Sequence, residues 1–354
     1  MSRSTRHRSI AAIALFASLA SASVDAVPPA LSTVARGVTG SLPKGVSLSP
    51  DGRTLYVTNY GNMRGRNIAV FDAATLHRTG WIDLPGVSVE SVVSPDGRTL
   101  YVSDVRRGVV SYVSLATARV TREVRVGARP KVIALSRDGA LLFAANWSGR
   151  SVTEVDVSSG AVVRTHAAGE CPRGLAVARD GTLYVANFHG DSLDVFAGPD
   201  RRSRRRIEGI CHVPRHLALS PDDRALYVSC LGDDSLVVVD TATVTVARTV
   251  PVGAAPKAVD VSADGRVVAT ADYGGSTVTL VDTSDWTTRT VEVPSLDHAS
   301  GIVADRSGAR FFVTGWYDNH VYAVGDGAPT FTVTDEERRR TLAHRAFHAA
   351  NPVE

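Results

Sequence analysis

Leu48-Ser49-Pro50-Asp51-Gly52-Arg53-Thr54-Leu55-Tyr56-Val57-Thr58-Asn59 is the stretch from which the rest of the chain can be read. An extended segment, Gly45 to Ser49, runs into a tight turn at Pro50-Asp51-Gly52-Arg53, where Pro presets φ and Gly accepts a positive φ. Thr54 to Asn59 alternates as a second strand, Asn67 to Asp72 reads as a third and His77 to Leu84 as a fourth. The turn returns at Asp96-Gly97, Asp138-Gly139, Asp180-Gly181, Asp222-Asp223, Asp264-Gly265 and a degraded Ser307-Gly308, at spacings of 45, 42, 42, 42, 42 and 43. A period of about 40 residues with β-type local pattern predicts an all-β fold, a seven-bladed β-propeller of four-stranded antiparallel blades. The repeat overrides the two or three domains that 354 residues would otherwise suggest.

Blades are expected to start near residues 44, 89, 131, 173, 215, 257 and 300, within a domain spanning 27–334. The seventh unit shows only three strands, Gly301 to Asp305, Arg310 to Gly315 and Asn319 to Val324. Thr33 to Pro43, whose end matches segments that elsewhere follow an outermost strand, is expected to supply the fourth and close the ring. Thr330 to Thr334 competes for the same slot. The tail 335–354, acidic first and basic later, suits a helix.

At the N-terminus, Arg3, Arg6 and Arg8 precede an apolar run, Ile10 to Ala17, with small residues before cleavage points at Ala22 or Ala26. Residues 1–26 therefore read as a signal peptide, which places the mature chain in the periplasm or outside the cell. The run is too short to span a bilayer, so no membrane segment is expected after its removal. A net charge of +3 argues against nucleic-acid binding, and the Arg201-to-Arg206 cluster reads as a solvated loop. No Gly-rich phosphate loop, Cys-x-x-Cys-His or His-Glu-x-x-His occurs, so no cofactor is implied. A monomer is expected.

The second strand carries a recurring word: Tyr56-Val57-Thr58-Asn59, Tyr101-Val102-Ser103-Asp104, Phe143-Ala144-Ala145-Asn146, Tyr184-Val185-Ala186-Asn187 and Tyr227-Val228-Ser229-Cys230. This resembles the propeller family named for the Tyr-Val-Thr-Asn repeat, including the secreted YncE-like group. The resemblance covers about residues 31–325 and implies the fold rather than an activity.

Aligned on the turns, the residue before each inner strand is Lys44, Val89, Lys131, Arg173, Arg215, Lys257 and Ser300. Five are cations, each preceded by Pro, and the topology gathers them at one channel mouth. Second-strand ends bring Asn59, Asn146, Asn187, His189 and Asp272 to the same face, which makes it the expected site for an anionic small molecule, a polymer or a protein partner. Repeat duplication of a harmless strand-start residue would give the same pattern, and Asn and Asp also leave strands simply because they suit turns.

Cys171, Cys211 and Cys230 fall on that face too. Export favours a disulfide, Cys171 with Cys211 or Cys211 with Cys230; a soft-metal cluster of Cys211, His212 and Cys230 is the alternative. Finally, Val213-Pro214-Arg215-His216 resembles the Pro-Arg-His segment of lactonase and cycloisomerase propellers. That resemblance implies Arg215 as anion clamp and His216 as acid/base in a lactone hydrolase or lyase. The acidic residue that usually follows is replaced here by Cys230-Leu231, so Asp272 or Asp104 would have to serve. The expected function is an exported binding scaffold, with the enzyme and a metal or redox role as alternatives.

Overall fold

The structure, a computed structural model, describes residues 32–306, 310–325 and 330–350; the signal segment lies outside them. Seven four-stranded antiparallel sheets form the chain, six of them from consecutive strands. The first holds Pro43–Leu48, Thr54–Asn59, Ile68–Asp72 and Arg78–Ile82 from channel to rim. In the seventh, Ser32–Val38 pairs antiparallel with His320–Gly325, so the N-terminal strand completes the last blade. Thr330 only flanks that strand, its amide donating to Val34 O at 2.9 Å, and 330–334 forms no strand.

Among the described residues, each of the six Asp-Gly-type turns is closed by its own side chains. In the first, Ser49 Oγ donates to Asp51 Oδ1 at 2.6 Å and accepts from Thr54 N at 2.9 Å, while Gly52 adopts a φ of +73°. The same Ser-x-Asp pair recurs at Ser94/Asp96, Ser136/Asp138, Ser220/Asp222 and Ser262/Asp264. Between blades, alternate faces interdigitate: Leu55, Val57 and Phe71 of the first pack with Phe312, Val321 and Ala323 of the seventh, all 0 or 1 % exposed. Each blade thus buries its faces only against its neighbours, so closure decides the stability of all seven. A helix, Asp335–Ala350, begins with a capping box in which Thr334 Oγ1 and Glu337 exchange hydrogen bonds. It docks on the seventh blade through Arg36–Glu337 (3.0 Å) and His344–Asp297.

Candidate functional site

The inner strands enter their sheets through one local device. Leu42, Arg129, Cys171, Val213, Ala255 and His298 precede them with φ between 50° and 61°, the left-handed region that side chains with a Cβ rarely adopt. Pairing with the second strand then slips, between Pro43 and Val46, Pro130 and Ile133, Pro172 and Gly174, Pro214 and His216, and Pro256 and Ala258. A bulge re-aims the side chain it contains, and these bulges contain Lys44, Lys131, Arg173, Arg215 and Lys257. The Thr of the repeated word fixes the next blade's bulge: Thr58 Oγ1 donates to Val89 O at 2.9 Å, Ser103 Oγ to Lys131 O at 2.8 Å, and Thr314 Oγ1 to Lys44 O at 3.0 Å. Between the fifth and sixth blades the Arg215 guanidinium takes that role, donating to Lys257 O.

The five cations are brought together and mostly buried. Lys131, Arg173, Arg215 and Lys257 are 6–9 % exposed, and Lys44 is partly buried. Burial first, and the other cations second, hold Lys44 and Lys257 well below the usual lysine range and Lys131 at about 7. Burial likewise lowers Arg215 and brings Arg173 to about 10. One carboxylate stands among them: Glu90, whose pKa burial raises to about 7 against the pull of Lys44, Arg173 and Arg215. Aligning the position after each ring residue gives Gly45, Glu90, Val132, Gly174, His216, Ala258 and Gly301, so its one acid was visible in the sequence but lay one column beyond the ring.

Above the cations lies a collar. Lys44 Nζ stands 5.3 and 5.1 Å from the ring centres of Tyr60 and Trp316; Lys257 Nζ stands 3.9 and 4.5 Å from Tyr273 and Trp316. Lys131 lies 5.4 Å from Trp147, and Arg173 5.4 and 5.7 Å from Trp147 and Phe188. These cation–π contacts hold the charges in place without neutralising them. Val105 and Leu231 occupy the two remaining places after the second strands. His189 is exposed at the rim, 4.9 Å from Phe188.

The strand-end polar groups are placed differently from expectation. Asn59, Asn146, Asn187 and Asp272 are 0 or 1 % exposed and spend their side chains within the blades. Asn59 Oδ1 accepts from Gly40 N (2.8 Å), Asn187 Oδ1 from Gly169 N (3.0 Å), and Asn146 Nδ2 donates to Thr153 Oγ1 (2.9 Å). Asp272 accepts from Thr270, Thr277 and Thr279, and its burial lifts its pKa to about 6. They fasten the turns beneath the face rather than present groups on it. Asp104 Oδ1 accepts from the amides of Arg106 and Arg107.

Cys211 and Cys230 form a disulfide, and Cys171 is free. The metal alternative is corrected accordingly: both sulfurs are bonded to each other, and His212 Nδ1 lies 3.1 Å from Asp191. His216 Nδ1 is 3.1 Å from Val259 O, which can only accept, so the proton sits on Nδ1 and Nε2 carries the lone pair. Burial and Arg215 lower its pKa to about 4, so the ring is neutral at pH 7. A hollow at the outer edge of the third and fourth blades is lined by His166 and Arg201. Both are held there by Glu154, at 2.8 and 2.5 Å.

No protein family matches this chain, and no curated protein does. Among solved structures it is similar to the hydrazine synthase of Kuenenia stuttgartiensis, with a TM-score of 0.71 and 19 % identity over 81 % of this chain and 96 % of that one. At that identity the likeness is one of fold.

Proposed function

We propose that this propeller is an exported binding protein of the Tyr-Val-Thr-Asn repeat type, and that its channel mouth holds an organic anion whose apolar body rests on the collar. The observation that carries the reading is a ring of four buried cations and a partly buried fifth, Lys44, served by one carboxylate. Unpaired buried charge is expensive, and an anion between Lys44, Lys131, Arg173, Arg215 and Lys257 would relieve it. The collar of Tyr60, Trp147, Phe188, Tyr273 and Trp316 favours a carboxylate with a flat or apolar body over a bare inorganic ion. The apolar leader and the Cys211–Cys230 disulfide support an oxidising compartment outside the cytoplasm.

Trp147 and Trp316 each touch ring cations and report occupancy by fluorescence. Benzoate should change their emission saturably, and Arg173→Met should weaken it at least about tenfold, as loss of a charge-assisted contact does. Absence of any response to benzoate and to other carboxylates would remove the reading.

A lactonase reading keeps one support: neutral His216, with its Nε2 lone pair, sits beside Arg215, and Glu90 is the acid of the same ring. Turnover of a lactone panel that Arg215→Ala and His216→Ala abolish would favour the enzyme.

A further inference from the structure

We propose that the channel mouth takes up its anion together with a proton, and that the Glu90 carboxylate is where the proton lands; this rests on the anion-binding reading above. Gly45 makes the seat. A Cβ at that position would lie 2.2 Å from Glu90 Oε1, so the carboxylate occupies the space the missing side chain leaves, against the first blade. Its own amide donates to Ser103 Oγ at 3.1 Å, which fixes the strand from which it projects.

The charged groups that act most strongly on this carboxylate are ring members. Lys44 comes from the first blade, Arg173 and Arg215 from the fourth and fifth, and the adjoining inner strand of the third carries Lys131. Asp104, the acid on its own blade's second strand, accepts with its Oδ1 from the amides of Arg106 and Arg107. Ionised Glu90 is therefore the ring's internal counter-ion. An incoming carboxylate competes with it for the same cations and repels it. Protonation from solvent removes the competitor and leaves all five cations to the ligand. With a pKa of about 7, the group can make this change near neutral pH.

The test is calorimetric titration of the mature chain with benzoate at pH 6 and pH 8, each in two buffers of different ionisation heat. Wild type should bind at least about tenfold more tightly at pH 6 than at pH 8, since one linked proton shifts affinity by about tenfold per pH unit above its pKa and Lys131, which also titrates near 7, can add its own share. At pH 8 Glu90→Gln should take up about one proton fewer per ligand and bind more tightly than wild type. Lys131→Met should keep the share of Glu90. Glu90→Asp, which retains a titrating group of different intrinsic pKa, should keep the uptake but move the pH at which it sets in, and an unmoved onset overturns the proposal if the Gln variant does not fold. Unchanged uptake and affinity in folded Glu90→Gln would overturn the proposal while leaving the anion site standing, as would uptake lost only in Lys131→Met. No benzoate binding by any form at either pH would overturn both.

Discussion

Arginines on the outermost strands and cations at the innermost ones carry the same charge to opposite ends. At the rim, Arg78 donates to Val38 O (2.7 Å), Arg122 to Ser158 O (2.9 Å), Arg204 to Ala167 O (3.0 Å) and Arg205 to Thr243 O (2.8 Å). Each reaches a carbonyl on an adjoining blade with its guanidinium still near water. They also keep exposed strand edges charged, which discourages edge-to-edge pairing. At the mouth, Arg215 makes a similar carbonyl bond, but inside, 6 % exposed and beside four other cations. Identical chemistry is a fastening in one place and a stored charge in the other. The net +3 conceals the difference entirely.

The comparison breaks hardest at Glu90. Glu90→Lys removes the ring's acid and adds a sixth cation, and should destabilise the ligand-free protein by about 3 kcal/mol or more, the scale of a broken buried charge pair. Urea unfolding at pH 8 measures it. A loss under about 1 kcal/mol would mean that water in the channel screens the ring as it screens the rim.

Removing a ring cation should act in the opposite direction. Lys257→Met replaces a buried charge with an apolar chain of similar length, which still packs on Tyr273 and Trp316. It should raise ligand-free stability by about 1 kcal/mol even after loss of the cation–π contact, while weakening benzoate binding. Arg205→Met, the corresponding change at the rim, should move stability by no more than about 0.5 kcal/mol. Equal effects of the two substitutions would erase the distinction between rim and mouth.

Much of this was legible beforehand. The turns fixed the blade count, and aligning on them placed five cations in one ring. The tripled threonine contacts of Asp272 were not legible, because Asp at a strand end looks the same whether it faces solvent or its own blade. Nor were the bulges: no residue type announces that Arg215 or Lys257 will be tipped inward, since Val213 and Ala255 adopt left-handed φ values that composition disfavours. Glu90 was readable only one column beyond the ring, where the argument from cations had no reason to look.

The finest test uses pH. Between about 4.5 and 7, folded Glu90 holds its proton while the unfolded chain has released it, so its contribution to stability falls as pH rises through that window. Lys131 runs the other way. Its folded pKa is depressed to about 7 from 10.5, so the unfolded chain holds the extra proton between those values and stability rises with pH across them. The ring's contribution therefore passes through a minimum near pH 7, where most proteins are near their maximum. The unfolding profile of Glu90→Gln should lack the acid arm of the dip, and that of Lys131→Met should lack the alkaline arm. Arg205→Met should leave both arms in place. A wild-type dip that keeps both arms in Glu90→Gln and in Lys131→Met would show that the two groups do not titrate as buried members of one ring, and the mouth would then be electrostatically no different from the rim.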